Sequence, residues 1–186
     1  MFSVYKEPRI VNNFLTDRSC NYLIDISKNN LKPSMVDNHR LDVNLRNSFS
    51  HQLEELDSDE TVVEIVKGLI NHVNKNIKNI ESPTITKYLP GGFYKPHFDS
   101  PLNVSKKRLY TVIISLNDDY IGGETYFPHL NKEYKLQKGD ALIFHNFDTE
   151  HNITNLSLHG GRTIKSGEKW ICNIWIHDEH IHSLIN

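Results

Sequence analysis

The chain has little of what would mark several protein classes. It contains only two cysteines, Cys20 and Cys172, in 186 residues, so one disulfide is conceivable but no disulfide framework is. No apolar run approaches the ~20 residues that a membrane-spanning helix requires. No tract of proline and glycine divides the chain, and no repeat or low-complexity segment interrupts it. Charge of one sign is also lacking: 21 Lys and Arg against 23 Asp and Glu leave a formal charge of −2. That near-balance gives no electrostatic case for nucleic acid as a partner. Hydrophobic residues at 38% and charged ones at 24% are enough for a packed core with a solvated surface, which excludes a disordered chain. At about 150 residues per domain the length fits a single domain, 1–186. The first residues show no basic stretch leading into an apolar one, so a signal peptide is not expected, and an intracellular, cytoplasmic protein with reduced thiols is.

What is present divides by texture. Residues 16–28 carry helical spacing, with Thr16 as N-cap and Cys20, Leu23, Ile24 and Ser27 on one face. A longer helix is expected over 59–78, where Val62, Ile65, Val66, Leu69, Ile70, Val73 and Ile77 follow the i, i+3, i+4, i+7 rule. After Pro83 the pattern changes to short β-type runs at 84–89, 110–116, 125–127, 133–136, 141–144, 152–159 and 170–177. Gly- and Asp-rich turns separate them. Two helices followed by many close strands predict an α+β fold: a jelly-roll core over 83–186 and a mainly helical support region over 1–82 packed on one face of a sheet.

The chemistry concentrates in Tyr88-Leu-Pro-Gly-Gly-Phe-Tyr-Lys-Pro-His97-Phe98-Asp99. On a strand, residues i and i+2 share a side, so His97 and Asp99 converge while Phe98 faces the core. One imidazole and one carboxylate leave a divalent metal short of ligands. His159, before Gly160-Gly161, is the candidate third, although His145 and His151 lie between and compete for the role. Two His and one carboxylate on one face of an octahedron form the facial triad of non-haem Fe(II) oxygenases. Ten residues after His159, Lys169 opens the last long strand. A lysine directed into a barrel needs an anion, and a dicarboxylate cosubstrate would supply one, with the Thr125 hydroxyl assisting. His145 also reads as a strand-end residue, the tail with His177, His180 and His182 as a solvated histidine cluster, and both cysteines as buried thiols.

Taken in order, Tyr88…His97-Phe-Asp99, Arg108-x-x-Thr111, Gly122-Gly-Glu-Thr-Tyr-Phe-Pro128, Lys138-Gly-Asp140 and His159-Gly-Gly…Gly167-Glu-Lys169-Trp170 resemble the catalytic domain of the prolyl 4-hydroxylases. These are Fe(II)- and 2-oxoglutarate-dependent dioxygenases with a double-stranded β-helix core. Asn13-Phe14-Leu15 and Arg46-Asn47-Ser48 resemble the family's N-terminal region, so the likeness spans nearly the whole chain. It implies Fe(II) on His97, Asp99 and His159, and the far carboxylate of 2-oxoglutarate on Lys169, with Thr125 and the Tyr88 hydroxyl. It places Tyr94, Arg108 and Trp175 along a peptide groove. It also implies O2 as co-reactant, succinate and CO2 as products, ascorbate as an optional reductant, and a proline-containing peptide or protein as partner.

Other readings remain open at this point: the same chemistry on another side chain or a free amino acid, or a metal-binding jelly roll without turnover. Asp99 argues against halogenation, which needs an open position where the carboxylate sits. The absence of His-Glu-x-x-His argues against a zinc hydrolase. Residues 100–107 are expected to form a lid over the substrate.

Overall fold

The computed structural model describes residues 4–36, 40–54, 59–73, 80–100 and 107–177. Most of the proposed lid and all of the tail beyond His177 lie outside them, as does the second helix beyond Val73.

Within the described residues the chain builds two facing sheets and two α-helices. The larger sheet takes β1 (Arg9–Val11), β2 (Lys32–Pro33), β4 (Phe49–Gln52), β5 (Thr84–Tyr88), β7 (Arg108–Ser115), β11 (Ala141–His145) and β14 (Lys169–His177), in the order β1-β11-β7-β14-β5-β4-β2. The smaller takes β3 (Arg46–Asn47), β6 (Phe93–His97), β9 (Thr125–Phe127), β10 (Lys132–Tyr134) and β12 (His159–Gly161), in the order β10-β9-β12-β6-β3. A ribbon of β8 (Ile121–Gly122) and β13 (Ile164–Ser166) stands beside them. Helix α1 (Asp17–Ser27) begins at Thr16, whose side chain accepts from Ser19 N, as its sequence predicts. Helix α2 covers Asp59–Val73, and no described helix is long and apolar enough to cross a membrane.

The middle strands β7 and β14 are buried along nearly their whole length, because each face meets a different apolar cluster. Val112, Ile114, Cys172 and Ile174 share a cluster with Cys20 and Leu23 of α1 and with Ile65, Leu69 and Val73 of α2. Their neighbours Ile113 and Ile171 face the other way, into a cluster with Tyr88, Phe127, Leu142 and Phe144 between the sheets. A period of two is thus present but hidden, since both faces are apolar. Ile70, expected on the buried face of α2, is 49% exposed, and Thr61 is buried there instead. Both cysteines are buried free thiols, and burial pushes Cys20 up to about 11.

Three expectations change. The run 152–159 is not one strand: Ile153 makes an isolated bridge to Phe147, Asn155–Ser157 form a 3₁₀ turn, and pairing starts only at His159. Hydroxyls cause this, with Thr154 capping the turn and Ser157 Oγ reaching the Thr154 and Asn146 carbonyls. The region before residue 83 supplies four short strands besides its helices, pieces of two to four residues that carry no readable alternation. Phe98 does not enter the core; it is half-buried and lines an outer groove with Val36, Leu45, Pro96 and Leu158.

Candidate active site

Strands β6 and β12 are antiparallel neighbours, with His97 directly opposite His159. Strand β6 ends at His97 and the chain bends, turning Asp99 back toward both rings. Asp99 Oδ1 lies 3.4 Å from His97 Nε2, and Oδ2 lies 3.6 Å from His159 Nε2. One donor atom from each residue falls within 4.8 Å of the others. Each imidazole Nδ1 sits against the carbonyl two residues before it, His97 on Lys95 O at 2.9 Å and His159 on Ser157 O at 3.0 Å. A carbonyl only accepts, so Nδ1 carries the proton in both rings and each Nε2 lone pair is free for a metal. Burial lowers the His159 imidazole to about 4 against the pull of Asp99, which leaves it neutral near pH 7. For Asp99 burial favours the neutral acid, but His159, His97 and the Thr111 hydroxyl outweigh it and hold the carboxyl well below its usual range. A neutral His159 beside an ionised Asp99 is what a divalent ion requires of those two groups.

His145 and His151 do not join this cluster. His145 ends β11 with its ring 4.5 Å from Tyr110, and His151 sits exposed in a turn with φ of 61°. His177, the described member of the tail cluster, pairs with Glu81 at 2.7 Å.

Lys169 stands opposite Tyr88 on the β14–β5 pair and is 6% exposed. Its Nζ donates to Gly123 O at 2.6 Å and lies 5.8 and 6.0 Å from the Tyr88 and Tyr120 ring centres. Burial lowers it to about 8, with Glu124 opposing. Gly123 approaches with φ of 71°, and a Cβ there would meet Ile164 Cδ1 at 2.3 Å, so glycine is what lets its carbonyl reach the ammonium.

One cavity is lined by the three candidate ligands and Lys169, by Tyr88 and Thr125, and by Tyr94 and Trp175. Tyr94 stacks on His97 with ring centres 3.5 Å apart. Arg108 is not on the cavity wall: it lies behind Trp175, 4.1 Å from the ring centre, with Glu81 binding it through two oxygens at 2.6 and 2.7 Å. Its Nη1 donates to the Asp99 carbonyl, so it supports the wall from outside. Two polar lining residues had no role from sequence. Arg46 sits 4.7 Å over the Tyr94 ring and bonds Ser48 and Thr86 across the gap between sheets. Asn173 was findable, since Lys169, Ile171, Asn173 and Trp175 are successive i+2 positions on one face of β14 and all line the cavity.

Comparison with known proteins agrees with this geometry. The profile of the 2OG-Fe(II) oxygenase superfamily matches residues 83–177. A protein of Acanthamoeba polyphaga mimivirus, provisionally named a prolyl 4-hydroxylase, is 32% identical over 94% of this chain and 75% of its own. Prolyl 4-hydroxylase 2 of Arabidopsis thaliana is 30% identical over 98% and 71%. The viral collagen prolyl hydroxylase of Paramecium Bursaria Chlorella virus-1, solved as a 2OG complex, superimposes with a TM-score of 0.76 at 29% identity, over 92% of this chain and 96% of that one. The chain belongs to the 2OG-Fe(II) oxygenase superfamily, in its prolyl 4-hydroxylase family.

The residues fit the groups this family uses. Two Nε2 lone pairs and a carboxylate suit Fe(II), and a buried ammonium bonded to one backbone carbonyl suits the remote carboxylate of 2-oxoglutarate.

Proposed function

We propose that this chain is a peptidyl-prolyl 4-hydroxylase, coupling hydroxylation of a proline-containing peptide to decarboxylation of 2-oxoglutarate to succinate and CO2. One observation carries the reading: the His97, Asp99 and His159 donors and the buried Lys169 ammonium face a single cavity. On this reading residues 1–186 form one catalytic domain. The two helices cover the outer face of the larger sheet, and 1–82 supports a jelly-roll core at 83–186.

Bound Fe(II) would supply the dioxygen chemistry. The protein's own part is binding and orientation. Lys169 and the hydroxyls of Thr125 and Tyr88 hold one end of the dicarboxylate, which sets its 2-oxo acid toward the ligand triad. Tyr88 and Ile171 keep the wall between the two ends apolar and dry. Tyr94 and Trp175 offer aromatic surface to a proline ring. The outer groove beginning at Tyr94 and His97, with apolar walls at Pro96, Phe98 and Leu158, gives neighbouring residues of an extended peptide a place to lie. That groove favours a peptide over a free amino acid.

The test is succinate release from 2-oxoglutarate under air with Fe(II) and ascorbate, with and without a proline-rich peptide. Wild-type turnover should rise with peptide and fall by more than a hundredfold in His159→Ala and Lys169→Ala. Turnover indifferent to every peptide would move the substrate elsewhere, and no succinate from an iron-loaded protein would leave a binding module.

A further inference from the structure

Asn146, just after β11 and 2% exposed, has no place in the sequence reading, yet its side chain is in an unusual state. Its Nδ2 lies 3.0 Å from both the Arg108 carbonyl and Thr111 Oγ1, while its Oδ1 is buried without any hydrogen bond. The orientation is fixed by chemistry: the Arg108 carbonyl has no proton to give, so the atom facing it must be the amide nitrogen. That nitrogen's second proton then points at Thr111 Oγ1, which makes the hydroxyl an acceptor there. The single Thr111 proton is left to go to Asp99 Oδ2, 2.7 Å away. Thr111 and Asp99 are themselves buried, so neither finds a substitute in bulk water. Asn146 also reaches the second arm of the triad through its main chain. Its carbonyl shares the one Ser157 Oγ proton with the nearer Thr154 carbonyl, and the Ser157 carbonyl receives the His159 Nδ1 proton.

We propose that Asn146 is a positioning residue for the metal site, directing the Thr111 hydroxyl onto Asp99 and so fixing the rotation of that carboxylate. This rests on His97, Asp99 and His159 being the ligands. The unpaired Oδ1 is the cost of the arrangement, because a buried acceptor without a donor is normally selected against. Without the amide, no donor occupies the Thr111 lone pair, so the hydroxyl is no longer fixed in the rotation that aims its proton at Asp99 Oδ2.

The experiment titrates the metal-free protein with Co(II) and follows its ligand-field absorption, which reports geometry as well as affinity and needs no turnover. Wild type should bind, and His159→Ala should not; failure of that pair would overturn the ligand assignment itself. Asn146→Ala should weaken Co(II) about tenfold, the lower end of what outer partners of metal ligands contribute, and alter the band pattern. Thr111→Val should do the same, Thr111→Ser should bind as wild type, and Asn146→Ala/Thr111→Val should be no worse than either single variant. Asn146→Ala within twofold of wild type, additive losses in the double variant, or Thr111→Ser as weak as Thr111→Val would each overturn the proposal. A measurement on the wild type stands if no variant folds. Both Nδ2 protons of Asn146 should resist solvent exchange and shift when Co(II) binds, and one freely exchanging proton would refute the arrangement.

Discussion

An ammonium that is almost fully buried and bonded to one backbone carbonyl carries a desolvation penalty that a bound carboxylate relieves. That makes Lys169 pH-sensitive in a definite direction. The groups facing it are Tyr88 of β5, Tyr120 and Glu124, and burial outweighs Glu124 in bringing its pKa to about 8. Binding the remote carboxylate of 2-oxoglutarate requires the charged form. Affinity should therefore be flat below pH 8 and weaken about tenfold per pH unit above it, until the pKa of the complex is reached. The ligand-free protein should change oppositely. Between about 8 and the ordinary 10.5 the unfolded chain binds a proton that the folded chain does not, so stability rises with pH over that window. Calorimetric titration of metal-loaded protein from pH 7 to 9.5 checks this. Lys169→Met should abolish both the affinity and its pH slope, and a wild-type affinity that stays level to pH 9.5 would show that Lys169 is not the anion's partner.

At the level of elements, both helices contribute through packing on the apolar cluster they share with β7 and β14. Leu69 of α2 is 1% exposed and shares a cluster with β7 and β14, the strands bearing Thr111 and Lys169. Leu69→Ala should cost about 2–5 kcal/mol in urea unfolding while leaving Co(II) affinity within twofold; a large loss of metal affinity would mean that α2 shapes the site directly. These elements also show what sequence conveys. Helix α1 was legible because its cap and its apolar face agree; His97 and Asp99 were picked out together, but a bend after His97 rather than strand alternation brings the carboxylate round. The turn at 155–157 was not, since Ile153, Leu156 and Leu158 look like strand residues and only the hydroxyls of Thr154 and Ser157 decide otherwise. Strands β1 to β4 were missed because they are short and held by backbone pairing rather than by pattern. Asn146 was invisible for another reason: its meaning lies in contacts with Arg108 and Thr111, 38 and 35 positions away.

Across the whole molecule, the candidate ligand cluster draws on both sheets. His97 and His159 belong to the smaller one, and Asp99 is tied through Thr111 to β7 of the larger. A metal bound there fastens the two layers together, and only the folded chain presents the three donors at once. Metal at 100 times its Kd should therefore stabilise the fold by about 2.7 kcal/mol, or roughly 5–10 °C in Tm for a chain of this size. 2-Oxoglutarate should add a further rise only when the metal is present, because on the proposed reading Lys169 holds one end and the ion the other. The variants separate these contributions. His159→Ala should lose the metal shift and the 2-oxoglutarate shift with it, whereas Lys169→Met should keep the first and lose the second. Scanning calorimetry with Zn(II) or Co(II) under nitrogen, where no turnover intervenes, reads all four cases. An equal 2-oxoglutarate shift with and without metal would place the dicarboxylate outside the triad and break the link between the two halves of the site.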